Sequence, residues 1–254
     1  MRIRQLHRWD VTPAEAREIQ LTLRQRLVLD DRLPRIRRFA GADVAFDLKR
    51  KRAIAGVILY SVDVGAGLQA HLVIRSAAKG QGGSKDAFPR FELNEIERVW
   101  AEAPLKFPYV PGLLSFREAP ALLAALAKLR HPPDVIFCDA QGYAHPRRFG
   151  LASHLGVLLD RPTIGCAKSR LIGVHGPVAR AAGSWTPLTD LAQRGELIGA
   201  VLRTRDAVNP IYVSQGHRVS LPRAIALTLA VCDGFRIPRP TRDADHFVRE
   251  LKSW

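Results

Sequence analysis

Two aspartates sit where a carboxylate is costly. Asp43 lies within the apolar run Gly41-Ala42-Asp43-Val44-Ala45-Phe46, and Asp139 closes Val135-Ile136-Phe137-Cys138-Asp139. Burying an ionised carboxylate is unfavourable unless a cation or hydrogen bonds compensate it. A single such residue is explained by a cap or turn at a strand end. Two of them, on strands expected to be central neighbours in a sheet, point to a shared divalent cation. Hard oxygen ligands together with substrate phosphate suit Mg²⁺, and that combination supports metal-assisted phosphodiester chemistry.

Asp139 also opens a run to Gly156 that is dense in Gly, His, Arg and Ser. Glycines beside a strand end, Gly142 among them, let backbone amides approach a ligand closely. His145, Arg147 and Arg148 offer donors to phosphates. Any one of these reads as a polar strand-to-helix loop, and their density favours a binding surface. His145 and His154 lack a partner at zinc-site spacing. Upstream, Pro108 and Pro111 fix the backbone around Tyr109 and Val110. Either these two side chains form a rigid apolar wedge that holds open the gap left by a flipped base, or Tyr109 tucks into the core. Glu118 is equally open. Ser115-Phe116-Arg117-Glu118 has the S-x-x-E form of a capping box, and its carboxylate also stands at a helix start that can face the two aspartates.

Positioning these groups requires a mixed sheet. Thr12-Pro13-Ala14-Glu15 predicts a capped helix start, and Ala16, Ile19, Leu23 and Leu27 continue at helical spacing. Phe39 to Phe46 and Ala53 to Val62 read as strands joined by a basic turn, with Leu68 to Ile74 as a possible third. Strands this close are hairpin-linked and antiparallel. The second half alternates: helix from Ser115 to Arg130, strand Asp134 to Cys138, helix Leu151 to Leu159, strand Thr163 to Ala167. Strands over Leu197 to Arg203 and Ile211 to Val213 precede a helix over Ser220 to Cys232, and a last helix follows Pro238-Arg239-Pro240-Thr241. The expectation is one α/β domain over residues 1–254, a meander then αβ units with helices on both faces. Lys79 to Lys85 is expected to be a flexible loop inside it.

Composition agrees with a polyanion partner. The 254 residues include 39 Lys+Arg against 24 Asp+Glu, a formal charge of +15, mostly carried by arginine. Such a surplus is the footprint of phosphate contacts. Apolar residues at 47% rule out a disordered chain. Three cysteines without C-x-x-C spacing argue against disulfides and cysteine zinc sites. No apolar h-region follows Met1, and no apolar run approaches the ~18 residues of a membrane span. The expected protein is cytoplasmic, with no membrane contact.

The long motifs carry a specific resemblance. Pro108 to Glu118, Asp139 to Gly156 and Pro162 to Arg170 resemble the endonuclease V family, the deoxyinosine 3′-endonucleases. Gly41 to Phe46, Leu202 to Thr204, Tyr212 to Ser220 and Pro240-Thr241-Arg242 extend the match over most of the chain. The resemblance implies an RNase H-like fold and Mg²⁺-dependent cleavage, with Mn²⁺ able to substitute. The implied cut is at the second phosphodiester 3′ to a deaminated adenine, leaving 3′-hydroxyl and 5′-phosphate ends, by a monomer acting on deoxyinosine DNA. By position, Asp43 and Asp139 match the metal-binding aspartates, Glu118 the third carboxylate, Lys168 a lysine facing the scissile phosphate, and Tyr109 the wedge. Asp245, with His246 beside it as the alternative, matches a functional position after Pro-Thr-Arg. Two departures stand out: an apparent extra segment within about residues 64–106, and Ala140 where the family often has Gly. Two other readings compete, an inosine-specific endoribonuclease and a catalytically silent nucleic-acid binder of the same fold. The presence of Asp43, Glu118, Asp139 and Lys168 together argues against the silent binder.

Overall fold

The computed structural model describes residues 1–63 and 90–253. Helix α1 (Pro13–Leu23) starts as its sequence requires: the Thr12 side chain accepts from the Glu15 amide and the Glu15 carboxylate accepts from the Thr12 amide. Strands β1 (Arg38–Asp47) and β2 (Arg52–Asp63) form the expected antiparallel hairpin. The place next to β2 is taken by β3 (Glu92–Pro104), paired antiparallel along it with a bulge at Leu59/Tyr60. Strand β3 thus lies within the range, about 64–106, in which an extra segment is expected. The strand expected over 68–74 and the loop over 79–85 lie outside the described residues.

The remainder is α2 (Leu114–Ala127), β4 (Val135–Cys138), α3 (Leu151–Leu159), β5 (Thr163–Ala167), β6 (Trp185–Asp190), β7 (Glu196–Leu202), β8 (Ile211–His217), α4 (Leu221–Ala230) and α5 (Arg239–Lys252). One eight-stranded sheet runs β3-β2-β1-β4-β5-β8-β7-β6. Its centre is parallel, β1 to β4 to β5, and its flanks are antiparallel. Strand β6 went unread because of Pro187; proline is confined to edge strands, and β6 is one.

Alternation along the central strands makes two cores. Ala40, Ala42, Ile136 and Cys138 face α2 and α3. Phe39, Val135, Phe137 and Ile164 face α4, with Phe247 of α5 packed beside them. Helices therefore cover both faces, as expected for a sheet whose central strands are apolar throughout.

Candidate active site

Strand β1 pairs with β4 only as far as Ala42 opposite Cys138. Asp43 and Asp139 are the next residues, standing where the two strands part. A third carboxylate arrives from above: α5 brings in Asp245, and one oxygen from each of the three lies within 4.8 Å of the others. Two glycines permit that approach. A Cβ on Gly41 would stand 1.9 Å from the Pro240 carbonyl oxygen, and one on Gly56, the β2 partner of Asp43, would strike Val248 and Phe247. His246 is exposed, so Asp245 is the member of that pair that joins the cluster.

Glu118 enters from α2 on the opposite face, buried to 9% exposure. Burial raises its carboxyl well above the ordinary range, and the charges of Asp43 and Asp139 raise it further. Asp43 is raised by burial and then by Asp139. Asp139 is raised by burial, against the opposing hydrogen bond from Lys168. The Lys168 ammonium lies 2.5 Å from Asp139 and 3.7 Å from Asp245. Burial works against its charge, but the hydrogen bond and charge of Asp139 hold its pKa above the usual value. Its backbone is pinned by Arg236, whose Nη2 donates to the Lys168 carbonyl at 2.7 Å. Carboxylates that destabilise one another as anions, offering only hard oxygen donors, fit a divalent cation.

Tyr109 is 73% exposed, which removes the core-packing alternative. Val110 differs from expectation: it is half-buried and packs against the Phe107, Leu113 and Phe116 cluster, so it anchors the loop and Tyr109 alone projects. Pro108 and Pro111 are exposed on either side. Beneath Tyr109 opens a pocket of about 340 Å³, walled by Gly112, Leu114, Gly150 and Leu151 and reaching Asp139 and Lys168.

Four of the loop residues expected to meet nucleic acid are turned inward. Gly142 is buried against β8, its amide already donating to Ser214 Oγ. Arg148 is 4% exposed and donates to Glu196 and Asp190, a buried pairing that consumes the donors meant for phosphate. His145 is 3% exposed; its Nε2 donates to the Gly112 carbonyl at 2.8 Å and its Nδ1 accepts from the Arg147 amide. Burial and the neighbouring Arg147 charge push it down to about 4, so the ring is neutral. Arg147 is half-buried and also donates to Gly112 O, at 2.7 Å. These two brace the wedge loop.

The capping box at Ser115 is also absent. Helix α2 begins at Leu114 with no side-chain cap, and the Ser115 hydroxyl pairs with His154 Nδ1 at 3.0 Å. The turn closed by Leu113 N–H on Val110 O starts the helix one residue early. Glu118 therefore has no capping role. Gln20 of α1 and Arg236 went unnoticed in the sequence; both act on main-chain carbonyls far along the chain, which leaves no local pattern.

A family model described as Endonuclease V matches residues 87–246. An endonuclease V of Nostoc sp. is 46% identical over 246 residues, 96% of this chain and 97% of that protein. The crystal structure of an endonuclease V from Streptomyces avermitilis, 39% identical, superimposes with a TM-score of 0.80 over 100% of this chain and 98% of that one. The Ciona intestinalis endonuclease V, solved in complex with a 24mer DNA containing an inosine, is 25% identical with a TM-score of 0.71 over 94% and 98%. The sheet and its two helical layers are thus the RNase H-like arrangement anticipated above.

Proposed function

The chain belongs to the endonuclease V family, and on that premise we propose that it cuts DNA at the second phosphodiester bond 3′ to deoxyinosine. The ends left are a 3′-hydroxyl and a 5′-phosphate, the ion is Mg²⁺ with Mn²⁺ able to substitute, and the whole chain acts as one domain, a cytoplasmic monomer. One observation carries the reading: the pocket under Tyr109 and the acidic cluster share Asp139, and Lys168, ion-paired to it, lines the same pocket. A base held in that pocket leaves its own strand running past the carboxylates.

Asp43, Asp139 and Asp245 would hold a divalent cation, with Glu118 as the carboxylate behind them. When bound, a divalent cation neutralises charge on the phosphoryl oxygens. Lys168 offers its ammonium to the scissile phosphate. Tyr109 fills the space vacated by the flipped nucleotide and stacks on its neighbours, an interaction worth ~1–3 kcal/mol per base. In the hydrolysis a water oxygen bonds to phosphorus, the P–O3′ bond breaks, and the departing 3′ oxygen takes up a proton.

The test uses labelled duplex DNA and single-stranded RNA, each with one inosine, with and without Mg²⁺. The DNA should be cut one nucleotide beyond the lesion only when the ion is present. Asp43→Asn and Asp139→Asn should each lower cleavage by at least about a hundredfold while retaining DNA binding, since losing a carboxylate reduces repulsion of phosphate. Near-wild-type cutting by either variant would remove the aspartates from the mechanism. RNA cut in preference to DNA would reassign the substrate.

A further inference from the structure

Three side chains converge on one carbonyl of the wedge loop. Gly112 O accepts from His145 Nε2 at 2.8 Å, Arg147 Nη2 at 2.7 Å and Gln20 Nε2 at 3.1 Å. His145 and Arg147 come from the β4–α3 loop, whereas Gln20 comes from α1, 92 residues earlier than Gly112. Gln20 is 1% exposed, and its amide is fully used. Nε2 donates as well to Phe149 O at 3.0 Å, and Oε1 accepts from Arg147 Nε at 2.5 Å. A buried side-chain amide is costly unless it is paired, and a fully paired one specifies a single arrangement of its neighbours. This one fastens together α1, the wedge turn and the loop that follows Asp139. It also contributes to the wall of the pocket beneath Tyr109.

Gly112 has a φ of +77°, the conformation that turns the chain from the wedge into α2. Rotating that peptide would tilt Tyr109 on one side and shift the start of α2 on the other. We propose that Gln20 is a positioning residue for the wedge, holding the Gly112 peptide so that Tyr109 is set before nucleic acid arrives, and thereby determining selectivity for inosine. The proposal rests on the reading of Tyr109 as the wedge of an inosine-directed nuclease. A preset wedge loses little freedom when it inserts, while a loose one must be ordered in the complex that uses it. The penalty for loosening falls on the inosine complex, because an ordinary stacked strand does not engage the wedge.

The measurement is the ratio of kcat/KM on inosine duplex to that on the matched adenine duplex, alongside the melting temperature. Gln20→Met keeps the length of the side chain and removes its hydrogen bonds. Gln20→Glu keeps the acceptor for Arg147 and loses both donations, and it carries the test if Gln20→Met melts below the assay temperature. Each should lower the ratio about tenfold, the factor that losing one or two such hydrogen bonds allows. In a Tyr109→Ala background neither should lower it further, because a residue acting through the wedge has nothing left to act on. A ratio unchanged by both variants, or lowered equally with and without Tyr109, overturns the proposal. If Tyr109→Ala itself leaves the ratio intact, the wedge reading falls and takes this role of Gln20 with it.

Discussion

Glu118 is nearly out of water and faces two other carboxylates, Asp43 and Asp139. Its ionised form is a strain on the metal-free fold. Glu118→Gln keeps the shape and removes the charge, so without divalent cation its melting temperature should exceed wild type. The gain expected is about 2–4 °C for each kcal/mol of repulsion relieved. Cleavage should fall by about a hundredfold or more, because an amide is a poor substitute for a carboxylate near a cation. A variant that melts lower and cuts normally would show Glu118 to be a packing residue. At this scale the sequence was legible where a residue contradicted its surroundings. Asp43 and Asp139 are carboxylates among apolar neighbours, and that mismatch alone announced them. A loop arginine or histidine such as Arg148 or His145 looks the same in sequence whether it meets phosphate or a buried partner. Gln20 was invisible, since its partners lie 92 to 129 residues away.

Among the elements, α5 is held to β1 and β2 through absent side chains. Gly41 and Gly56 leave the room that Pro240, Phe247 and Val248 occupy, and this contact sets the height of Asp245 over Asp43. Gly41→Ala places a methyl 1.9 Å from a backbone oxygen, which cannot swing aside as a side chain can. The helix must lift. The expected result is a loss of about 1–3 kcal/mol by denaturant titration, as for other overpacked positions, with cleavage impaired by more than the unfolded fraction explains. Full activity in the folded variant would mean that Asp245 does not need this helix position. Strands β1, β4 and β5 could be read from the sequence because burial on both faces demands apolar runs. Strand β3 could not: Glu92, Glu95, Glu97 and Glu102 load an edge with charge, and the bulge opposite Leu59/Tyr60 breaks its alternation. Edge strands resist aggregation by such means, and the same charges hide them.

For the molecule as a whole, acid acts in two directions. Burial lowers His7, His154 and His217, and with the Arg147 charge it lowers His145 to about 4. The unfolded chain titrates these near 6.5, so below that pH it binds more protons than the folded one and stability falls. For His145 alone the loss reaches roughly 3 kcal/mol as the pH approaches its folded value. Asp43, Glu118 and Asp139 have the opposite sign. Raised in the fold, they take up protons before the unfolded chain does, and metal-free stability gains from acid until the unfolded carboxylates titrate near ~4. Glu118→Gln deletes part of that gain. With a chelator present, its denaturation midpoint should drop more steeply than wild type between pH 6.5 and 4; parallel profiles would refute the opposition. The placement of Asp245 also has a consequence in time. It stands about 200 residues from Asp43 along the chain, so the cluster closes only when contacts of very long range have formed. Helix α5 buries just Pro240, Thr241, Ala244 and Val248, and elements with few buried side chains open at less cost than the whole. With Asp245 in its proposed role, cleavage is expected to be lost on warming before the circular-dichroism signal of the sheet, and coincident losses would show that α5 opens only with the whole fold.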